Sequence, residues 1–206
     1  EGMAALLPSS PPRRPRPSAV AIGNFDGLHL GHRRILESLS ETARRAGLRP
    51  IVLTFSPHPE KALGRGSLRM LQTLDRRVAG LRAAGVSGVK AIPFTRPFAE
   101  VPAGRFVETV LVRRFNAKAV VVGSGFRFGK GRAGTVAALR ALGRRFGFRV
   151  RAVPPVRRDG GLVSSSRIRA LLEAGRVAAA NRLMGRAYEI GGRVVRGRAR
   201  GRILGF

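Results

Sequence analysis

Ala21-Ile-Gly-Asn-Phe-Asp-Gly-Leu-His-Leu-Gly-His-Arg-Arg-Ile-Leu36 reads as the end of a strand, a glycine-punctuated turn and the start of a helix. A short apolar run feeding such a turn and then an amphipathic helix aims backbone N–H groups and the positive end of a helix dipole at one point, which favours bound phosphate. His29 and His32 stand at that point, three residues apart. Ala19 to Gly23 supplies the strand. From Leu30 to Ala46 the residues Leu36, Leu39, Ala43 and Ala46 recur at three- and four-residue spacing, the mark of one buried helix face. Arg33 with Glu37, and Glu41 with Arg45, fall i,i+4 on the opposite side, and Gly47 ends the helix.

Outward from this stretch, strands and helices alternate. Pro50 to Phe55 reads as a second strand, followed by a long loop through Ser56-Pro-His-Pro-Glu60 to about Thr73, of the length usually kept for function. Then come a helix over Leu74 to Ala84, a strand over Val89 to Pro93 and a helix over Gly104 to Phe115. Ala117 to Gly123 is a continuous apolar run, as expected of a strand buried on both faces. A second glycine-rich loop, Ser124 to Gly134, precedes a helix over Thr135 to Phe146 and a strand over Phe148 to Val153. Helices of this length between strands imply βαβ crossovers. The predicted fold is therefore α/β, a doubly wound, Rossmann-like five-stranded parallel sheet. Ligands of such folds bind beyond the carboxyl ends of the strands, where both glycine loops fall.

Past a turn-containing excursion over Val156 to Val163, Ser164-Ser-Ser166 caps a helix over Arg167 to Ala174, with hydroxyls and amides available to an anion. A short helix over Val177 to Met184 follows. From Ala187 the texture changes to an alternating, glycine-rich pattern read as β structure, which places a domain boundary near Gly185. At the other end, residues 1–17 hold the Pro/Arg run Pro8 to Pro17, with too little apolar content to pack and too many fixed φ angles for a helix, and read as a disordered leader.

Composition narrows the class. No window approaches the ~18 consecutive apolar residues that span a membrane, so no membrane partner is expected. The absence of cysteine removes disulfides, thiolate metal sites and cysteine nucleophiles, and fits a cytoplasmic protein. The 40 Lys and Arg against 11 Asp and Glu give a net charge of +29, which attracts polyanions without specificity. Nearly all of that charge is arginine spread from end to end, so biased genomic base composition explains it as well as nucleic-acid binding does, and no specific nucleic-acid partner is expected.

All three histidines lie in just two turns after strands, His29 and His32 in the first and His58 in the second, and a parallel sheet brings those turns to one edge. Without a cysteine, and without a serine beside a histidine and an acid, the chemistry expected is phosphoryl transfer by positioning and charge stabilisation. Arg169, one turn after Ser164 to Ser166, offers a guanidinium for a leaving pyrophosphate.

Four motifs in order carry a family resemblance. Gly23-Asn-Phe-Asp-Gly-Leu-His-Leu-Gly-His32 closely resembles the G-x-F-D-G-x-H-x-G-H signature of the prokaryotic FAD synthetases, and Val163-Ser-Ser-Ser-Arg-Ile-Arg169 resembles their I-S-S-T-x-x-R. Thr54-Phe-Ser-Pro-His-Pro59 is similar to T-F-x-P-H-P, and Gly123 to Gly129 to G-x-D-F-x-F-G. The resemblance runs from about residue 18 to the end, with residues 18–185 matching the FMN adenylyltransferase module. Residues 186–206 match the junction into a riboflavin kinase module, the first β segment of an incomplete β-barrel.

The resemblance implies transfer of AMP from ATP to FMN, giving FAD and pyrophosphate, with Mg²⁺ carried on the nucleotide and no protein metal ligand. It implies catalytic roles for His29, His32 and Arg169. ATP would meet Gly23, Asn24, Phe25, Asp26, Gly27, Gly31, Ser164, Ser165 and Ser166, and the flavin Pro57, His58, Pro59, Phe126 and Phe128. Two departures stand out. Gly125 replaces the family's usual Asp or Asn, and the sequence stops at Phe206 before the kinase module's P-T-A-N segment, so no riboflavin kinase activity is expected of this polypeptide. The competing readings are a related nucleotidyltransferase with another phosphate acceptor, against which the Phe55 to Pro59 loop argues, and a basic nucleic-acid-binding protein.

Overall fold

Ala19, Val20, Ala21 and Ile22 are shut off from solvent on both faces, so the strand that carries them, β1 (Ser18–Ile22), belongs at the centre of a sheet. In the computed structural model, which describes residues 15–64, 68–193 and 195, β1 pairs in parallel with β2 (Arg49–Ser56). Beyond β2 lies β3 (Gly88–Pro93); on the other side of β1 lie β4 (Ala117–Gly123) and then β5 (Arg149–Val153). The order β3-β2-β1-β4-β5 is the predicted doubly wound parallel sheet. A two-stranded antiparallel hairpin, β6 (Arg157–Arg158) with β7 (Gly161–Leu162), forms the excursion expected around Asp159.

The period-two alternation of the strands divides the core. Ala19, Ala21, Val52 and Val121 pack with Leu36, Leu39 and Ala43 of α1 (Leu30–Ala46), and with Leu81, which a later helix supplies. Val20, Ile22, Leu53, Val120 and Val122 face the opposite layer, which includes Phe98, Phe106, Leu111 and Leu139. The long loop after β2 holds one short helix, α2 (Pro59–Ala62), before α3 (Leu74–Ala83), which carries Leu81. Two further short pieces, α4 (Arg96–Ala99) and α5 (Ala103–Phe106), precede β4. The expected α-helix over Gly104 to Phe115 is α-helical only for its first turn. It widens into a π-helix over Val107–Arg114, closed by an i→i+5 bond from Phe115 N–H to the Val110 carbonyl. α6 (Val136–Phe146) then leads to β5.

A third, smaller cluster joins Leu71 and Val163 to Ile168 of α7 (Ser165–Glu173) and to Ala180, Leu183 and Met184 of α8 (Val177–Met184), so the last two helices are bolted to the loop after β2. Of the expected leader, residues 1–14 lie outside the described residues. Pro15 and Pro17 are tied down, their carbonyls accepting from the Asn116 side chain and from Arg49 N–H. Residues 186–193 and 195 carry no strand, and the rest of the expected β segment lies outside the described residues. Among the described residues no helix is long and apolar enough to cross a membrane.

Candidate active site

The chain runs outward from β1 through β2 to β3 and then returns to β4, so the strand order reverses between β1 and β4, and the carboxyl ends of those two strands open the crevice where this architecture binds ligands. Gly23 and Asn24 leave β1 there. The turn that follows is tightly bent, with Phe25, Gly27 and Leu28 all at positive φ. Gly27 cannot be replaced without strain: its φ is +88° and a Cβ would stand 2.7 Å from Leu71 Cδ1. His29 caps α1, its Nδ1 accepting from His32 N–H at 3.3 Å, so the proton of the neutral ring sits on Nε2 and is free to donate to a ligand. The His32 ring stacks on it, centroids 3.6 Å apart, and His32 Nδ1 is buried without a partner.

Both imidazoles are held neutral. Burial pushes His29 down to about 4, against the Asp26 charge and a backbone hydrogen bond, which pull it up. Burial, then the neighbouring His29 and Arg77, drive His32 well below the usual imidazole range. Two stacked imidazolium rings would repel one another, whereas two neutral ones present N–H groups and lone pairs at a helix N-terminus.

His58 comes to the same place from the turn after β2. Its Nδ1 accepts from Glu60 N–H at the start of α2, so its proton is on Nε2, 2.8 Å from the Asn24 side chain. That contact is a hydrogen bond only with the Asn24 amide turned so that its oxygen accepts. It bridges the turns after β1 and β2. Thr54 adds a second bridge, its hydroxyl donating to the Asn24 carbonyl at 3.0 Å. Burial lowers His58 as well, with Arg169 and Arg77 acting in the same direction against Glu60 and Asp26.

Two of the residues expected at the ATP turn have no exposed surface. Phe25 is fully buried in the core, its ring tilted against His32 at 5.2 Å, because the positive φ of the turn directs it inward. Asp26 is also fully buried and its carboxylate is committed: both oxygens accept from Leu71 N–H at 3.1 Å, and Oδ2 accepts from Arg169 Nη2 at 2.7 Å. Arg169 is thereby fixed. Its Nε donates to the Arg69 carbonyl at 2.8 Å, leaving Nη1 without a protein partner among the described residues. Ser165 donates to the Asp26 carbonyl at 2.8 Å, Ser164 accepts from Arg167 N–H as the cap of α7, and Ser166 is exposed. Asp26 thus ties the β1 turn, the loop over residues 69–72 and the start of α7 into one unit. A Cβ at Gly31 would stand 3.1 Å from the His29 ring, so a side chain there presses on that imidazole.

The residues expected on the flavin side divide between two cavities that share Phe55 and His58 as a wall. One, of about 450 Å³, is lined by Gly23, Asn24, Pro59, Gly125, Phe126 and Phe128, and by Phe94, Phe98 and Phe106. Phe126 stacks on Phe128 at 5.5 Å, so this cavity offers aromatic faces to a planar ring. The other, of about 550 Å³, takes Pro57 and is floored by Arg77. His29, His32 and Ser164 to Ser166 line neither cavity. The sequence reading missed Arg77. It is 3% exposed, and its Nη1 donates to Thr54 Oγ1 at 3.3 Å and to the Phe55 carbonyl at 3.2 Å. Its signal was a charge on the buried stripe of α3, three residues after Leu74 and four before Leu81. Among the described residues no three His, Asp or Glu side chains cluster closely enough to hold a metal ion.

A parallel sheet with its order reversal at a glycine turn, neutral imidazoles at a helix N-terminus and a fixed guanidinium opposite define a Rossmann-like α/β domain of the nucleotide-handling class. The family model for FAD synthetase matches residues 12–167. Two curated relatives, each called a bifunctional riboflavin kinase/FMN adenylyltransferase, are similar over nine-tenths of the chain: that of Haemophilus influenzae is 38% identical over 189 residues and that of Escherichia coli 35% over 189. A crystal structure described as a macrolide-efflux protein from Streptococcus pneumoniae superposes with a TM-score of 0.82 at 32% identity, covering 93% of this chain and 62% of that one. The chain belongs to the FAD synthetase family. It spans about three-fifths of the length of the curated relatives it matches, 61% and 60% respectively.

Proposed function

We propose that residues 18–185 form an FMN adenylyltransferase, joining FMN to the AMP of ATP to give FAD and pyrophosphate, in the cytoplasm, and that residues 186–206 lead towards a riboflavin kinase module. One observation supports the reading: the Asn24–His58 bond joins the glycine turn after β1 to the loop after β2, beside a cavity walled by Phe126 and Phe128. In the reaction an oxygen of the FMN phosphate attacks the α-phosphorus of ATP, a new P–O–P bond forms, and the bond to the β-phosphate oxygen breaks as pyrophosphate leaves. His29 Nε2–H and the amides at the start of α1 donate to the charge that builds on the α-phosphate. Arg169 Nη1, with the hydroxyls of Ser164 and Ser166, receives the departing pyrophosphate. Magnesium enters as MgATP, a substrate, because Asp26, the one buried carboxylate among the described residues, is already spent on Arg169 and Leu71.

The test is an incubation of the chain with MgATP and FMN, following FAD by chromatography and pyrophosphate by a coupled assay, with riboflavin and phosphopantetheine as separate acceptors. FAD formed only with FMN, and reduced at least about 100-fold by His32→Ala in a protein of unchanged circular dichroism, is the expected result. Pyrophosphate released with phosphopantetheine and not with FMN would replace this reading with that of a related nucleotidyltransferase.

A further inference from the structure

Arg77 stands out as a buried charge without a counter-charge. Among the described residues it makes no ion pair, unlike the eight acid–base pairs found elsewhere. Its Nε is sealed from solvent with no acceptor. Asp26 acts on it only at a distance, and that carboxylate already serves Arg169. The buried centre therefore holds two guanidiniums against one carboxylate, the three imidazoles being neutral. An uncompensated buried cation is costly, and it is retained where a ligand supplies the missing anion. Nη1 is occupied by Thr54 and Phe55, while among the described residues Nη2 has no partner and it is not among the sealed atoms, so it is the nitrogen left for the cavity that Arg77 lines.

The cavity says which anion. Its walls are Phe55 to His58, Lys61, residues 70–74 and Arg76, closed by residues 188–191 from beyond α8, whose one carboxylate, Glu189, pairs with Arg76. Neither the β1/β4 crevice nor Ser164 to Ser166 contributes to it, so a nucleotide triphosphate lying over α1 and α7 would not fill it. The one acceptor-side group that carries a double negative charge is a phosphomonoester. His58 lines the same cavity as Arg77, so a phosphate on the guanidinium lies against the turn after β2.

We propose that Arg77 binds the phosphomonoester of the acceptor flavin, in the cavity between the Phe55–His58 turn and residues 70–77, and so makes the site select FMN over riboflavin. The assignment rests on the adenylyltransferase reading above and adds to it the group that recognises the acceptor's phosphate. The guanidinium then has a second use: it holds the nucleophilic oxygen on the His58 side of the site with its charge partly balanced.

Calorimetric titrations of the 206-residue chain with FMN, riboflavin and ATP, for the wild type, Arg77→Met and Arg77→Lys, test this, with FAD formation by the wild type measured alongside. The expected result is an FMN affinity at least tenfold above that for riboflavin in the wild type. Arg77→Met should erase that preference while riboflavin and ATP affinities stay within twofold, and Arg77→Lys should recover part of it. Equal wild-type affinities for FMN and riboflavin overturn the assignment, a result that stands even if Arg77→Met fails to fold. An unchanged FMN affinity in Arg77→Met also overturns it, as does a loss confined to ATP, which would put the triphosphate on Arg77, or an equal loss for both flavins. When the wild type makes FAD, these outcomes remove the assignment of Arg77 alone; a wild type that binds FMN through its phosphate yet makes no FAD removes the function and keeps the site.

Discussion

Acidification should unfold this protein through its histidines before its carboxylates titrate. In the folded chain burial holds His29 at about 4, whereas in the unfolded chain it returns to 6.5. Below pH 6.5 the unfolded state takes up a proton that the folded state refuses, so stability is full above that pH and falls as the pH drops towards 4. The whole shift is worth about 3 kcal/mol, of which about 2 kcal/mol is lost by pH 5. His32 and His58 are shifted in the same direction and steepen the loss, each contributing up to about 1.4 kcal/mol per pH unit while it remains neutral. The window between pH 6.5 and 5 isolates this effect, because exposed carboxylates still carry their charge there. Urea unfolding at several pH values across that window should show a slope of more than one proton, and His29→Gln should flatten it by about one. A stability independent of pH from 7.5 to 5, or an unchanged slope in His29→Gln, would refute the claim that the rings are buried neutral.

Asp26→Asn keeps an acceptor for Leu71 N–H and removes the charge that fixes Arg169, so it should cost about 3 kcal/mol in urea unfolding and lower FAD formation; a variant as stable as the parent contradicts the hub role of Asp26. Gly125→Asn should fold as the parent does, with a stability change below about 0.5 kcal/mol, because no atom lies within 4 Å of the added Cβ and φ is not positive there; a thermal melt checks this, and FMN titration reads whether the restored polar group tightens binding. Gly129→Ala, four residues on, should lose more than about 2 kcal/mol, since φ is +73° and the Cβ would meet the Ala103 backbone at 2.7 Å. An equal effect of the two glycine substitutions in the same melt would show the loop to be softer than its geometry.

The sheet was legible because its strands are short apolar runs separated by punctuation. The ends of α1 fall where periodicity and Gly47 place them, and β4 occupies the run from Ala117 to Gly123. The π-helix after Phe106 was not legible, since Val107, Val110 and Leu111 satisfy an α-helical stripe just as well and the extra residue per turn is fixed by packing. The short helices α2 and α4 escaped because four residues hold too little pattern. At the site, His29, His32 and His58 were found by their rarity. Arg77 was hidden by the opposite circumstance, being an arginine in an arginine-rich chain, and only its place on an apolar stripe marks it. The pairing of Asp26 with Arg169, 143 residues apart, is a tertiary fact. The spacing that identifies each motif is silent on the point that their charges satisfy one another.

That pairing changes what the histidines are for. A general base at physiological pH needs a pKa near 7, and these rings lie well below it. Phosphoryl transfer from ATP to a phosphate acceptor asks for no such base, because the attacking oxygen is already anionic and the leaving pyrophosphate needs no proton. What it does require is that two polyanions be brought together against their repulsion. In the proposed reaction that need falls to charge that does not titrate: Arg169 fixed by Asp26, Arg77 left unbalanced, and the dipole of α1 behind two neutral imidazoles whose N–H groups can face phosphate oxygens. A protonated pair of histidines would add attraction but would repel one another at 3.6 Å and loosen the turn that aims them. Keeping the imidazoles neutral and giving the permanent charge to arginines separates the two tasks, orientation and attraction, between two kinds of side chain.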